Sequence, residues 1–481
     1  MSFAQFYKMI GAYLAITGVI LLASISYCLG SDKTNIPLIK QEIKSVGTDK
    51  IASLDGLFID DKSSSSTKVS DQNFKQTSSW RGFSQYEMAF AYADPDHLSK
   101  MRLRTELENI RQINSFIKWK LSGRIDYDAV YSISNFYSHN VREDQRFEFW
   151  LRENYLDISR GNWDFRVGRQ HIIWGEMVGL FFADVVSAKD MREFVLQDFN
   201  LLRIPQWALR TEYSKNNFHA DLVWIPFATL DKIGRPGEPG KSAAEFYPFA
   251  LPDQLQATFL NEDRSGRNVA NSNYGLRLSQ LVNGWDFSAF YYHSLDASPT
   301  FHLVGGELGK PVFQARHDRI DQVGSTFSKD LGSVVVKGEF VYTNGRQFNV
   351  TRFLQPFGLV QQDTVDYALG LDFSLPAEIR TNLQFFQRVF LGYDRDIFHD
   401  KWESGASIML NRKLWQDVEV QTLLIHSLNR VEWMLRPRIN WNFTKNWRLA
   451  LGADMFEGPA TGLFGRFANN DRIFTEIRLS F

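Results

Sequence analysis

The feature that most constrains this chain is a strict alternation of apolar and polar residues, which recurs from residue 82 to the last residue. Residues 101–108 and 117–131 show it most clearly, and the apolar face of the second segment is expected to continue to Tyr131. Their polar positions include Arg102, Arg104, Glu106, Glu108, Lys118, Lys120, Arg124 and Asp126, and apolar or small residues occupy most positions between them. An alternation with a period of two is typical of a β-strand that has one apolar and one polar face. The chain is therefore predicted to be all-β.

The connections between the strands distinguish a membrane barrel from a soluble β-sandwich, because they alternate in length. Short turns fall at residues 114–115, 159–162, 214–217, 283–284, 331–333, 375–378, 414–417 and 444–446. Longer connections fall near residues 94–99, 132–145, 174–206, 226–271, 295–318, 345–364, 393–400, 429–430 and 457–470. Together they join eighteen strands, with sixteen as the alternative count. This arrangement predicts a single large antiparallel transmembrane β-barrel over residues 81–481, with tight periplasmic turns, long outer loops and a polar lumen.

The composition agrees with a membrane barrel and excludes two other classes of protein. Lys and Arg total 54 against 55 Asp and Glu, so there is no broad electrostatic basis for binding nucleic acid. A single apolar stretch of membrane-spanning length excludes a polytopic helical protein. Aromatic residues make up 15% of the chain, and Trp163, Trp285, Trp415 and Trp447 lie at or just after predicted turns. Such positions place tryptophan at the level of the lipid headgroups.

The last residue, Phe481, completes the apolar stripe of the last predicted strand. It resembles the C-terminal signal that outer-membrane barrels present for assembly. The barrel assembly machinery is therefore an expected partner, together with outer-membrane lipid and lipopolysaccharide. The expected location is the outer membrane of a Gram-negative bacterium.

The N-terminal part of the chain differs from the rest. Residues 9–30 carry no charge, follow Lys8 and have an apolar centre, which is typical of a secretory signal peptide over residues 1–30. An uncleaved anchor is the alternative, and lipid attachment at Cys28 is disfavoured because the bulky Tyr27 precedes it. Cleavage after Gly30 would leave a mature chain without cysteine. Residues 31–80 are poor in apolar residues and are predicted to form a flexible periplasmic segment.

A motif between residues 163 and 213 resembles that of a known family. It consists of Gly168, Arg169, Gln170, Trp174, Gly175, Glu176, Asp184, Arg192, Glu193, Arg203, Pro205 and Trp207. This pattern resembles the Gram-negative outer-membrane barrels of unknown function designated DUF1302. The family commonly has an aspartate-containing run where this chain has Met177 and Val178, and often Asn-Pro at Ser187 and Ala188. The resemblance implies a barrel. Some members are thought to accompany inner-membrane exporters and periplasmic lipid-handling proteins, which implies a hydrophobic cargo.

The same stretch leads to two structural expectations. Continued alternation after Val167 would place Arg169 on the lipid face, where an arginine costs about 2–4 kcal/mol at mid-depth. We therefore predict a bulge at Gly168 that turns Arg169 into the lumen, towards Glu176 or Glu212. The alternative is that the strand has already reached the outer interface. The connection that follows is apolar and has helix-like spacing over residues 190–199, so it is predicted to fold into the barrel and narrow it. Packing above the rim is the alternative.

The sequence offers little evidence for an enzyme. His293 and Ser294 are adjacent and so lie on opposite faces of a strand, and no nucleophile, zinc or phosphate-binding motif is present. No cofactor or metal is therefore expected. The acidic residues Asp394, Asp396 and Asp400 beside His399 are better explained as a solvated loop than as an ion site. The predicted lumen charges either pair across strands or set selectivity for permeant solutes.

These observations predict an outer-membrane channel or conduit, because barrels of this strand number enclose an aqueous space. A hydrophobic or lipid-like substrate passed on by a partner export system is weakly preferred. The alternatives are a general diffusion porin for small solutes, an outer-membrane lipid-modifying enzyme, and a scaffold for a surface partner.

Overall fold

The computed structural model describes residues 78–177, 182–238, 241–249, 257–264, 267–307, 309–352 and 355–481. The predicted signal peptide lies outside the described residues, as does the N-terminal segment up to residue 77. The first strand begins at Ser78, three residues before the predicted start of the barrel. No helix among the described residues is long and apolar enough to cross a membrane.

Eighteen long strands make up one sheet. Numbered in chain order, they are β1 (Ser78–Ala91), β2 (His97–Gln112), β3 (Ile117–Asp128), β4 (Phe147–Arg160), β5 (Trp163–Gln170), β6 (Gln206–Lys215), β7 (Phe218–Phe227), β8 (Asn273–Val282), β9 (Trp285–Leu295), β10 (Arg319–Asp330), β11 (Val334–Asn344), β12 (Asp363–Leu375), β13 (Ile379–Leu391), β14 (Trp402–Trp415), β15 (Val418–Ser427), β16 (Trp433–Trp441), β17 (Trp447–Glu457) and β18 (Arg472–Ser480).

The sheet closes on itself. Each strand pairs antiparallel with the next, and β1 pairs with β18 from Phe83 opposite Ser480 to Ala91 opposite Arg472. The predicted closed antiparallel barrel of eighteen strands is confirmed, and the alternative of sixteen strands is wrong. The predicted short turns all lie at one end of the strands and the longer connections at the other. Closure pairs the edge strands, which an open sheet would leave with unsatisfied backbone groups in lipid.

The two faces of the strands have the predicted character. On β3, Ile125 and Tyr127 are exposed on the outer surface, whereas Arg124 and Asp126 are buried inside. The prediction fails only at the end of this strand, which we expected to continue outward through Tyr131. Instead the chain leaves the sheet after Asp128, and Tyr131 is 5% exposed in a helical turn. Alternation cannot reveal this end, because a buried loop residue can be as apolar as a lipid-facing one.

Short elements occupy the outer connections. The helices are α1 (Val130–Ile133), α2 (His139–Arg146) and α3 (Phe199–Leu202), and 3-10 turns span Met191–Glu193, Val269–Asn271, Pro356–Gly358 and Gly465–Asn470. A further 3-10 turn, Pro376–Glu378, forms one of the tight turns. Small two-stranded sheets join Ala188–Lys189 to Arg203–Ile204 and Gln347–Asn349 to Leu359–Gln361. In a three-stranded sheet, Lys310–Arg316 lies between Thr258–Leu260 and Thr300–Glu307.

Tryptophans mark the level of the turns, as expected for an interfacial belt. Trp163 is 46% exposed, and its ring lies 4.7 Å from that of Tyr213 on the neighbouring strand β6. Trp415, at the end of β14, is 69% exposed. An amphipathic ring at these positions is suited to the boundary between acyl chains and headgroups.

The C-terminal residue contributes to the seam between β18 and β1. Gly82 donates its amide to Phe481 at 2.8 Å, and Phe481 donates back to Gly82 at 3.0 Å. Deleting Phe481 removes both bonds, so we expect slower assembly and a melting temperature lower by several degrees, since each bond is worth about 1 kcal/mol. The heat-modifiable shift in gel mobility measures both effects. Phe481→Trp keeps the backbone bonds and should behave as wild type; equal stability of the deletion would contradict the role of the seam.

Candidate functional site

The connection between β5 and β6, residues 171–205, enters the barrel and is called the inward loop below. Trp174 is fully buried, and its indole Nε1 donates to Asp221 Oδ2 on β7 at 2.9 Å. Its ring packs against Phe290 and Tyr292, which face the lumen from β9, at centroid distances of 5.4 and 5.8 Å. The Trp-Gly-Glu part of the motif therefore leads the chain across the inner wall.

A single carboxylate on β11 holds the middle of the inward loop. Glu339, 3% exposed, accepts the backbone N–H of Glu176 at 2.5 Å and that of Met177 at 2.8 Å through Oε1. Its Oε2 accepts the N–H of Ala183 at 3.0 Å. The approach is close at Gly175, where an added Cβ would lie 3.0 Å from the Asp184 nitrogen. Three bonds to one charged acceptor make Glu339 the principal anchor on this side.

The loop then returns through a short hairpin. Arg203 donates Nε to Asp184 Oδ2 at 2.7 Å, next to the two-residue pairing of Ala188–Lys189 with Arg203–Ile204. Burial alone would raise the pKa of Asp184, but the charges of Arg203 and Lys189, with the hydrogen bonds from Arg203 and Ser187, together outweigh it and hold the pKa below its usual value. Ala188 and Ile204 pack against Trp150 of β4. The family-motif residues Asp184 and Arg203 thus form an ion pair that closes the hairpin.

On the opposite side of the lumen, charged residues of the inward loop form ion pairs with the wall. Glu193 forms ion pairs with Lys100 and Arg102 of β2 and lies 3.4 Å from Arg472 of β18. Arg192 pairs with Asp190 and with Glu148, each at 2.7 Å. These contacts, together with those to Glu339, place the inward loop across the interior from β11 to β2.

The predicted lumen charges on β2 and β3 are paired with one another or with neighbours. Arg104 makes a two-point contact with Asp126 at 2.8 and 3.2 Å, and Arg102 bonds Glu87. Lys120 reaches Glu108 at 3.0 Å, and Lys118 reaches Asp157 at 3.5 Å. Glu106 lies 3.8 Å from Arg152. Arg124, fully buried, lies 3.1 Å from Asp126 and stacks on Trp150. The geometry therefore favours structural pairing for this set.

The predicted bulge at Gly168 is wrong. Both ladders are regular there: Gly168 lies opposite Tyr155 and Ala208, and Arg169 lies opposite Asn154 and Trp207. Arg169 therefore shares the outer face with Trp207 and does not pair with Glu176, which contacts Arg277 at 3.3 Å, or with Glu212, which contacts Arg210. Gly168 adopts φ +131°, and an added Cβ would lie 2.2 Å from the Asn154 oxygen, so glycine serves close backbone approach instead.

The remaining motif residues support the ends of β5 and β6. Gln170, fully buried, donates Nε2 to the Ala208 carbonyl at 3.1 Å. The Pro205 carbonyl accepts the Thr229 hydroxyl at 3.4 Å, and Trp207 is 40% exposed on the outer surface. These contacts are structural, and they fix the points at which the inward loop leaves and rejoins the wall.

Beside the inward loop lies a cavity of about 380 Å³, called the polar cavity below. Its charged lining residues are Asp184, Lys189, Asp231, Asp296, Arg346, Asp366 and Arg388. Arg388 bonds Asp366 at 2.6 Å, and Arg346 bonds Asp296 at 2.8 Å. Burial raises the pKa of Asp231. The cavity is bounded on one side by the loop. On the other side it is bounded by β9, β10, β12 and β13 and by residues 231, 296–300 and 346–347 of the outer connections.

Apart from Asp184, sequence reasoning missed the charged residues that line the polar cavity. Asp366 and Arg388 occupy lumen positions on β12 and β13, so the alternation of polar and apolar residues along these strands could have identified them. Asp296 and Arg346 belong to different outer connections, and only the order of strands around the barrel brings them together. No motif marks such a pair.

The residues considered for an enzymatic or a metal site make other contacts in the structure. His293 Nδ1 lies 2.7 Å from Asp321 Oδ1, whereas Ser294 is 2% exposed on the other face of β9. Asp394 and Asp396 both accept from Arg352, at 2.6 and 3.0 Å. Among the residues that the structure describes, no group of three or more His, Cys, Asp or Glu could hold a metal ion.

Replacing Glu339 with alanine should release the middle of the inward loop, because hydrogen bonds to a charged acceptor are worth about 1.5–3 kcal/mol each. We expect single-channel conductance in planar bilayers to rise about twofold or more, with increased current noise. Asp372→Asn is the matched control, since this β12 carboxylate pairs with Lys337 at 3.1 Å and does not line the polar cavity. Unchanged conductance in Glu339→Ala would show that the loop does not depend on this anchor.

Comparison with known proteins agrees with this architecture. The OccAB1 structure from Acinetobacter baumannii aligns with a TM-score of 0.52 at 10% identity, covering 84% of this chain and 96% of that one. OmpF of Salmonella typhi, solved with daunomycin, aligns with a TM-score of 0.44 at 9% identity over 84% and 97%. No curated protein matches the sequence. The model of the family described as a protein of unknown function, DUF1302, matches residues 98–399. This match spans more than half of the chain, and the protein therefore belongs to the DUF1302 family.

Proposed function

We propose that this protein is an outer-membrane channel of a Gram-negative bacterium in which solutes pass beside the inward loop. The observation that carries the proposal is the polar cavity, about 380 Å³ in volume, which lies inside the closed wall and next to the loop. An eighteen-stranded barrel is wide enough to hold an aqueous channel. The inward loop fills part of that width, and the remaining space is lined by paired charges.

The cavity lining favours small polar solutes over lipids in this part of the lumen. Arg388 with Asp366 and Arg346 with Asp296 place both signs of charge along the cavity, where they can replace part of the hydration shell of a polar solute. Such a lining is costly for an apolar molecule, since it would separate charged groups from water without replacing their hydrogen bonds. The proposed activity is thus that of a constricted porin.

A hydrophobic cargo is the second candidate, and one observation favours it. Five aromatic rings from two outer connections contact one another: Tyr247, Phe249, Phe259, Phe301 and Phe313. The rings of Phe249 and Phe301 lie 4.4 Å apart. An aromatic cluster of this size could hold an apolar molecule before it enters or after it leaves the barrel. A partner export system remains a prediction that follows from this candidate. Uptake assays in liposomes, with an apolar dye and a hydrophilic sugar compared, decide between the two cargo classes.

The charge of the polar cavity should control ion preference. Arg388→Gln leaves the Asp366 carboxylate without its cation, so the ratio of cation to anion permeability should rise about twofold or more. The reversal potential across a KCl gradient measures this ratio. Arg146→Gln removes a cation from α2, where the side chain is exposed and does not line the polar cavity, and should leave the ratio unchanged. An unaltered reversal potential in Arg388→Gln, or a wild-type protein without conductance, would contradict the proposal.

A further inference from the structure

The barrel wall has a step where β4 meets β5. Strand β4 runs from Phe147 to Arg160, but β5 pairs only with its lower half, from Asn154 to Arg160. Residues 147–151 of β4 pair with β3 on one side, and a bulge at residues 152–153 interrupts that ladder. Among the described residues, no strand pairs with residues 147–153 on the other side. The step begins where β5 ends at Gln170 and the chain turns into the lumen.

The step is closed from the inside. Trp150 packs against Ala188 and Ile204 of the hairpin in the inward loop. Arg152, 3% exposed, donates Nη1 to the Arg203 carbonyl at 2.8 Å. The step is therefore a recess in the outer surface and not an opening into the lumen. A molecule that occupied it would come from the membrane.

The outer surface around the step is apolar. Phe147 is 58% exposed and Phe149 is 65% exposed on the unpaired part of β4. Ile173 and Trp207, on the other side of the recess, are each 40% exposed. Side chains of this kind form contacts suited to acyl chains.

A cation lies at the foot of the step. Arg169 shares the outer face with Trp207, its Nε is buried, and this atom makes no hydrogen bond among the described residues. The charged groups that act on Arg169 are Arg152 and Arg267, both positive. Arg169 lies six residues above Trp163, so at about 2.5 Å of height per tilted residue it is about 15 Å above the turn level. Its long side chain can extend upward past the end of β5 towards the outer headgroups.

The unpaired backbone edge of β4 sets a further requirement for any ligand at the step. Unpaired N–H and C=O groups are not tolerated in contact with hydrocarbon alone. A ligand at the step must therefore offer polar groups beside its apolar part, and it must carry negative charge to complement Arg169 and Arg267. An amphiphile whose headgroup carries a phosphate together with hydroxyl or amide groups satisfies all three conditions.

We propose that the step between β4 and β5 binds a phosphorylated glycolipid of the outer leaflet, with its polar headgroup along the unpaired edge of β4, a phosphate on Arg169, and acyl chains running down against Trp207, Val167 and Phe165, which are exposed on the outer face at or below the level of Arg169. This site lies on the outside of the wall and is independent of conduction through the polar cavity. Phosphate binding would explain why a charged residue, Arg169, lies on the lipid-facing side of β5. The arginine, the exposed aromatic residues and the unpaired edge each contribute one part of the site.

The test uses the full chain, purified in detergent and freed of lipid, with lipid A as the probe and native mass spectrometry as the readout. We expect wild type to bind lipid A at least tenfold more tightly than its dephosphorylated form. Arg169→Gln should lose that preference, and Arg169→Lys should retain part of it. Arg166→Gln is the matched control, because Arg166 lies on the opposite face of β5 and bonds Asp157 at 3.0 Å.

Two results would overturn the proposal: wild-type affinity for lipid A in Arg169→Gln, or equal binding of the phosphorylated and dephosphorylated lipids by wild type. Heat-modifiable gel mobility verifies that each variant is folded. If Arg169→Gln fails to fold, Arg169→Lys and Phe165→Ser replace it, and unchanged lipid A binding in both also overturns the proposal. Conductance of Arg169→Gln should equal that of wild type, which separates this site from the proposed channel function.

Discussion

The structure depends on the requirement that every backbone N–H and C=O within the apolar layer find a hydrogen-bond partner. An eighteen-stranded sheet meets it by pairing β18 with β1, and the terminal Phe481 extends that seam by two hydrogen bonds to Gly82. Once the sheet is closed, alternate side chains must face either lipid or lumen. The sequence alternation is the direct consequence of that geometry.

Closure at this width also creates an interior that side chains from the wall cannot fill. The inward loop occupies that space, and its attachment is mostly electrostatic. Glu339 accepts three backbone amides on one side, and Glu193 pairs with cations of β2 on the other. These buried carboxylates need such partners, because an unpaired charge away from water is costly. The same contacts that stabilise the loop leave the polar cavity beside it.

The sequence predicted the wall well because one local rule, the period of two, governs each strand separately. Strand number, turn positions and the inner or outer side of Arg104, Asp126 and Ile125 all follow from it. Prediction failed where tertiary context overrides that rule. Tyr131 is apolar but belongs to a loop, and Gly168 allows close backbone contact without a bulge. The sequence did not identify Glu339 as an anchor. A lumen-facing acidic residue on β11 fits the same alternation whether or not a loop binds to it.

The position of the inward loop is the central claim, and a cross-link between the loop and the far wall tests it most directly. An added Cβ at Gly370 on β12 would lie 2.8 Å from the terminal methyl carbon of Met177. With Cys28 replaced by serine, cysteines at positions 177 and 370 should be joined within one chain by a short bifunctional maleimide in the folded barrel. Absence of the cross-link, together with rapid labelling of position 177 by a bulky maleimide added from outside the cell, would contradict the account.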